Sequence, residues 1–260
     1  MTGIGTEFTG AIAVLTINNP KKLNAWNRAM RATLLQKMKE LSALPAEECR
    51  GIVITGAERR AFCAGQDLDE AHDWDSDFAD TWVTEIRDVY DSVRLCPKPV
   101  VAALNGVAAG SGFQFALCCD IRVSHPGARM GQPEVKSGLA SVTGTWLIQH
   151  AVGHTRMKDL VLRARLLDGE EAKEWGIVNC LVSEECVLDE AVRIANEMSE
   201  LPIESFSLTK EAIFDLMESQ YGHAFATAID YQGKVYQTDA PTRAMGRYKN
   251  KTGSDDRDAS

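Results

Sequence analysis

The stretch with the clearest capacity for chemistry spans residues 98–120 and reads KPVVAALNGVAAGSGFQFALCCD. Residues 100–104 have the length and Val/Ala content of a buried strand. Asn105-Gly106 is a turn signal. Ala108-Ala109-Gly110-Ser111-Gly112 is a run of small residues, and residues 113–119 have the apolar composition of an internal helix. A helix N-terminus reached through glycines presents unpaired N–H groups and the positive end of the macrodipole, so it stabilises negative charge. Neither G-x-x-x-x-G-K-[ST] nor G-x-G-x-x-G occurs, which makes a phosphate loop the weaker reading. An oxyanion formed during reaction and simple close packing of a helix are the two others.

A second stretch adds to this. Residues 51–55 (GIVIT) read as another buried strand, followed by a polar turn and then Ala61-Phe62-Cys63-Ala64-Gly65-Gln66-Asp67-Leu68. Together the two stretches resemble the crotonase (enoyl-CoA hydratase/isomerase) superfamily, whose pattern is A-F-[CS]-A-G-x-D-[LI] followed by K-P-x-[IV]-A-A-[VIL]-N-G-x-A-x-G-[GS]-G. The resemblance runs from about Phe8 to Lys251. It implies an α/β fold, a crotonase-like spiral of repeated ββα units with a C-terminal helical trimerisation region. It also implies an acyl-CoA substrate whose thioester oxygen is gripped by the backbone N–H groups of Gln66 and Ser111. Losing one such donor costs roughly 3–4 kcal/mol of transition-state stabilisation. Gly131-Gln132-Pro133-Glu134 matches the position of a catalytic glutamate, so the resemblance makes Glu134 the proton shuttle, with a pKa raised by an apolar pocket. Lys22, Leu23, Ala25, Ala64, Asp67, Leu68, Gly110, Gly112 and Pro133 are implied contacts to the CoA thioester. A Cβ at Gly110 or Gly112 is expected to push the thioester off the helix N-terminus.

The chain departs from the family at one catalytic position. Hydratases of the family hold a water between two glutamates, and the first of these is Gln114 here, a residue that cannot carry a proton at neutral pH. Its amide is expected about one turn into the helix, facing the acyl carbons. A single base favours an isomerase of the Δ3,Δ2-enoyl-CoA type. An enoyl-CoA hydratase or hydratase-lyase and a non-catalytic CoA-ester binding protein are the alternatives. Val142 stands where dienoyl-CoA isomerases and aromatic dehalogenases carry an aspartate, which argues against those activities.

The elements that must position these groups follow from periodicity and turn chemistry. Residues 11–17 form a strand and Asn18-Asn19-Pro20 a turn. A helix follows with Met30, Leu34, Leu35, Met38 and Leu41 on one face and Asn24 placed to cap it. Trp74, Phe78 and Trp82 are spaced four and four, as an acyl pocket or as core packing. Further on, residues 120–124 and 128–132 read as strands, and residues 143–152 and 156–166 as helices separated by Gly153. A helix over 168–175 is stopped by Gly176 before a strand over 177–182, and 188–198 is helical. From 205 to 249 the reading is helices only, broken at Pro241. The expected organisation is an acyl-CoA-binding core (1–200), a C-terminal helical region (201–251) and a disordered tail (252–260).

Composition narrows the remaining classes. At 260 residues and 45% hydrophobic content the chain can bury a large core. A net charge of −9 argues against nucleic acid and anionic membranes as partners. No apolar run approaches the roughly 20 residues that span a bilayer, and no secretory pattern opens the chain, so a cytoplasmic location is expected. The seven cysteines read as reduced thiols, with no metal-ligand spacing and hence no metal. No cofactor is expected beyond the CoA thioester substrate itself. Lys21, Lys22, Arg243, Arg247, Lys249 and Lys251 are the candidate CoA-binding cations. The resemblance implies a homotrimer or a dimer of trimers.

Overall fold

Strands rich in Val, Ile and Ala that are buried on both faces belong in a parallel sheet covered by helices, and the chain builds two sheets that are parallel but for one antiparallel edge strand each. The computed structural model describes residues 2–72 and 74–246. In order the elements are β1 (Gly3–Thr9), β2 (Ile12–Asn18), α1 (Arg28–Ala43), β3 (Gly51–Gly56), β4 (Ala61–Cys63), α2 (Leu68–Ala71), α3 (Phe78–Arg94), β5 (Val100–Leu104), β6 (Val107–Ala109), α4 (Ser111–Cys118), β7 (Ile121–Ser124), β8 (Arg129–Gly131), α5 (Thr143–Leu162), β9 (Leu166–Asp168), α6 (Gly169–Glu174), β10 (Cys180–Leu181), α7 (Val187–Ser199) and α8 (Ile203–Tyr236). The larger sheet has the order β1-β2-β3-β5-β7-β10 and the smaller β4-β6-β8-β9.

This order is a spiral of ββα units. The pairs β3/β4, β5/β6 and β7/β8 each place one strand in each sheet and are each followed by a helix, and successive units stack in parallel. Every residue of β3 and β5 is buried. One face of the larger sheet packs on α7 through Val53, Val101 and Val123 against Val187, Ala191 and Ala195. The opposite face joins the main core, which includes Trp26, Phe62, Tyr90, Phe113 and Phe115.

Several boundaries differ from the sequence reading. Part of the small-residue run is itself a strand, β6, because it pairs with β4 and β8. The strand expected over 177–182 shrinks to β10, since Ile177 and Val178 N–H both donate to Ala172 O and close α6. The helix expected to reach 166 ends at Leu162; Ala164 turns left-handed (φ 48°) and β9 begins. Gly153 (φ 77°) does break helical geometry inside α5. Asn24 is not the cap of α1. That role belongs to Asn27, whose Oδ1 accepts from Met30 N at 2.9 Å. Asn24 is instead buried and ties loops together, its Nδ2 donating to Ala57 O and Ala61 O at 2.9 and 2.7 Å. Residues 240–246 are helical, and Arg247, Lys249, Lys251 and the tail over 252–260 lie outside the described residues. All seven cysteines are free, five of them buried.

Candidate active site

Two successive ββα units each end their second strand in a glycine turn that exposes a backbone donor. After β4, Ala64 N donates to Leu23 O (3.0 Å), Trp26 N to Gly65 O (2.9 Å) and Asp67 N to Trp26 O (3.0 Å). In this parallel bridge the N–H of Gln66 points away from residue 26, and it donates to no acceptor among the described residues. After β6, Gly110 adopts φ 53°, ψ −129°, a conformation open essentially to glycine, and α4 begins at Ser111. As the first residue of the helix, Ser111 has an N–H with no intrahelical acceptor, and none is found elsewhere among the described residues. The two turns touch: a Cβ on Gly65 would lie 2.6 Å from Ala109 O and 3.2 Å from Ser111 N.

A cavity of about 190 Å³ opens at this junction. Ala64, Gln66, Leu68, Gly110, Ser111, Pro133 and Glu134 line it, joined by Trp82, Ser137 and Leu139. Glu134 Oε1 accepts from Gln114 Nε2 at 2.7 Å. Burial raises the Glu134 pKa from 4.5 to about 7, against the lowering effect of polar contacts with Ser141, Gln132 and Gln114. The Gln114 carbonyl oxygen accepts from Thr143 Oγ1 at 2.8 Å and lies 3.3 Å from the Tyr90 hydroxyl, which is 3.0 Å from Ser111 O. These hydroxyl donors orient the amide, so its NH2 side meets the carboxylate. The Gln114 amide thus meets the Glu134 carboxylate directly, and both border one pocket.

The supports of the two turns were not visible in the motifs. Trp26 Nε1 donates to Ser111 Oγ at 3.0 Å. Arg31, 1% exposed, donates from Nη1 to Gln66 Oε1 at 2.6 Å and stands 3.6 Å from both Glu70 and Glu85. Its burial pulls the guanidinium pKa down while the two glutamates oppose that. The one available signal was a charged residue set on the apolar stripe of α1 beside Met30 and Leu34.

Other expected contacts lie outside the cavity wall. The Lys22 ammonium is held by Asp67 at 2.7 Å and Asp69 at 2.8 Å. The Asp67 carboxylate also caps α2, accepting from Asp69 N. Leu23 (φ 52°) braces the Gln66 turn by accepting from Ala64 N, while Ala25 bonds within its own loop, donating to Lys22 O and accepting from Asn19 Nδ2. Gly112 is required for a reason other than the one expected: a Cβ there would lie 2.3 Å from Cys63 O, inside the α4–β4 packing. At Gly110 the nearest atom to such a Cβ is Glu134 Cγ at 3.9 Å, so the constraint is its φ and not space. Arg243 pairs with Asp239 at 3.3 Å on the surface. Of the three aromatics, Trp82 enters the cavity wall, while Trp74 stacks on Phe78 and Trp82 with centroids 4.9 and 5.0 Å apart. Among the described residues no group of His, Cys, Asp and Glu is placed to hold a metal, and no helix is long and apolar enough to cross a membrane.

Comparison with known proteins agrees with this geometry. Residues 7–255 match the enoyl-CoA hydratase/isomerase family. A short-chain-enoyl-CoA hydratase of Clostridium acetobutylicum is 32% identical over 246 residues, covering 92% of this chain and 91% of the relative. A 1,2-epoxyphenylacetyl-CoA isomerase of Escherichia coli is 34% identical over 207 residues, 78% of each. The crystal structure of an enoyl-CoA hydratase/isomerase from Mycobacterium paratuberculosis superposes with a TM-score of 0.85 at 26% identity, covering 95% of this chain and 98% of that one. With the ββα spiral, the paired backbone donors and a match along nearly its whole length, this chain belongs to the enoyl-CoA hydratase/isomerase family.

Proposed function

We propose that the protein isomerises 3-enoyl-CoA to 2-enoyl-CoA thioesters through an enolate, with Glu134 as the single base. The observation that carries this reading is the pairing of one titratable carboxyl with a carboxamide. Burial raises the Glu134 pKa to about 7, and the side chain that meets it at 2.7 Å is a carboxamide, which cannot accept its proton. The thioester oxygen accepts from Gln66 N–H and Ser111 N–H. The Glu134 carboxylate takes a proton from C2, the C2–H pair becomes the C1–C2 double bond of a dienolate that keeps its C3–C4 double bond, and the carbonyl π pair moves onto the thioester oxygen between the two donors. Protonated Glu134 returns the proton to C4 as the charge flows back. The base is regenerated and no water is consumed, so no cofactor beyond the CoA thioester is needed.

Hydration is the second reading, supported by the Clostridium relative's name. One base would then have to handle both protons of the added water. A purely CoA-binding role is disfavoured by the assembled Glu134–Gln114–Thr143 chain. We also infer a trimer or dimer of trimers, supported by Leu208, Ile213 and Leu216 standing 64%, 55% and 85% exposed on α8. Turnover of a panel of 3-enoyl- and 2-enoyl-CoA esters tests the reaction, with faster isomerisation than hydration expected. Hydration of crotonyl-CoA at about 10² per second or more would overturn the single-base reading.

A further inference from the structure

Beside the main cavity lies a second, smaller pocket of about 20 Å³, which shares Trp82, Ser111 and Glu134 with it. That volume admits one water-sized group. Val83, Ile86, Phe225 and Ala228 form the apolar part of the pocket wall, and the Gln114–Glu134 pair borders it. Gln232 on α8 also lines it and is 4% exposed. Gln232 Nε2 donates to Ala140 O at 2.6 Å, and a carbonyl accepts only from a donor, so the amide's orientation is settled. Its Oε1 is left buried with no donor among the described residues. Trp82, 6% exposed and lining the same pocket, has an indole N–H with no acceptor among the described residues.

A buried donor or acceptor left unmade costs about 1–3 kcal/mol, so such groups are normally met by a ligand or a water. The two groups ask for opposite things. Gln232 Oε1 needs a hydrogen-bond donor and Trp82 Nε1 needs an acceptor. A carbonyl or carboxylate accepts only, and an ammonium donates only. A hydroxyl does both and matches the pocket in size.

We propose that Gln232 and Trp82 select acyl-CoA thioesters whose acyl chain carries a hydroxyl beyond the reacting carbons. This rests on the acyl-CoA reading above and names a substrate class for it. A hydroxyl-sized water is the other source of the same chemistry, and the test separates the two.

The dissociation constants of trans-4-hydroxybut-2-enoyl-CoA and trans-5-hydroxypent-2-enoyl-CoA are compared by calorimetry with those of their methyl isosteres, trans-pent-2-enoyl-CoA and trans-hex-2-enoyl-CoA. The protein is the Glu134→Gln variant, in which turnover is suppressed, and kcat/KM ratios are measured in the wild type. At least one hydroxy ester is expected to bind about tenfold or more tightly than its isostere, because a site built around a hydroxyl rejects the analogue lacking it. Gln232→Met should bring that ratio towards one with little change for the methyl ester, and Trp82→Phe should bring it towards one whatever it does to the affinity of both esters. Gln232→Met also cuts the tether to Ala140, whereas Trp82→Phe breaks no bond of the fold, so the second variant keeps the test open if the first fails to fold. Equal binding within both pairs, with a crystal structure showing a water retained on Gln232, overturns hydroxyl selection and leaves the acyl-CoA reading standing. A preference that survives both substitutions overturns the assignment to these residues. Failure of all four esters to bind overturns the acyl-CoA reading itself and this inference with it.

Discussion

The turns at Gln66 and Ser111 perform the same backbone task with different support. Each follows a short strand of the smaller sheet, each bends at a glycine of positive φ (94° at Gly65, 53° at Gly110), and each leaves one N–H free. The Gln66 turn is backed by charge: Arg31 holds the Gln66 side chain and faces Glu70 and Glu85. The Ser111 turn is backed by neutral hydrogen bonds from Trp26 and Tyr90 and by a buried helix that carries no charged residue. Repetition of the ββα unit thus supplies the donor geometry, and local side chains decide how each donor is held. Trp26 couples them, pairing its main chain with one turn and its indole with the other.

The largest effect is expected from removing the group both turns serve. Glu134→Gln should lower kcat by about 10²–10⁴-fold while ester binding persists. With the carboxylate as the proposed base, wild-type activity should rise with pH through about 7 and level off above it. Stability should move the other way. Burial raises the folded pKa above the ordinary 4.5, so ionisation opposes folding increasingly from about pH 4.5 and fully above about 7. Thermal melts should show Glu134→Gln gaining on wild type at pH 8 and matching it at pH 4.5. A fully active variant would remove Glu134 from the chemistry.

The next effect separates the turns sterically. Gly65→Ala must adopt φ 94° and meet Ala109 O at 2.6 Å, while Gly110→Ala meets only φ 53°. Both should lose about 10²–10³-fold in kcat/KM as a donor is misplaced. Gly65→Ala should also melt well below wild type, whereas Gly110→Ala should lose only the roughly 1–3 kcal/mol of backbone strain. Equal melting temperatures would mean that the two glycines are constrained alike.

A smaller effect should separate the supports. Arg31→Met is expected to lower kcat/KM about tenfold, with a deficit that shrinks at high salt as Glu70 and Glu85 are screened. Trp26→Phe leaves Ser111 Oγ without its donor, which corresponds to about 1–3 kcal/mol, and its deficit should not respond to salt. Indistinguishable salt profiles would erase the contrast between charged and neutral backing.

The smallest effect is a shift and not a loss. Gln114→Leu removes a hydrogen bond that lowers the Glu134 pKa, so the ascending limb of the pH–rate profile should move to higher pH. Gln114→Glu should raise hydration of 2-enoyl-CoA and split the limb into two coupled steps, since two carboxyl groups this close share one proton. A limb unmoved by either substitution would show that Gln114 does not act on Glu134.

Much of this was legible locally. The runs GIVIT and VVAAL are apolar enough to require burial on both faces, and each is followed by a glycine whose backbone freedom a sharp turn needs. The family pattern laid over those runs then named Gln66, Ser111 and Glu134 as candidates. The strands β4, β6 and β9 were not legible, because two or three residues carry no periodicity and become strands only when a partner lies alongside.

Tertiary structure alone decided what the side chains do. Lys22 and Asp67 neutralise each other across 45 positions of sequence, and Gln114 turns to Glu134 because Thr143 and Tyr90, from other helices, occupy its carbonyl oxygen. Backbone conformation follows from neighbours in sequence, since sterics act within a residue or two. Hydrogen-bond partnership and pKa follow from neighbours in space: the same Glu134 is an ordinary carboxylate until the fold places Gln114 on it and buries it, which is why the sequence could only nominate Glu134 and the tertiary structure raises its pKa to about 7.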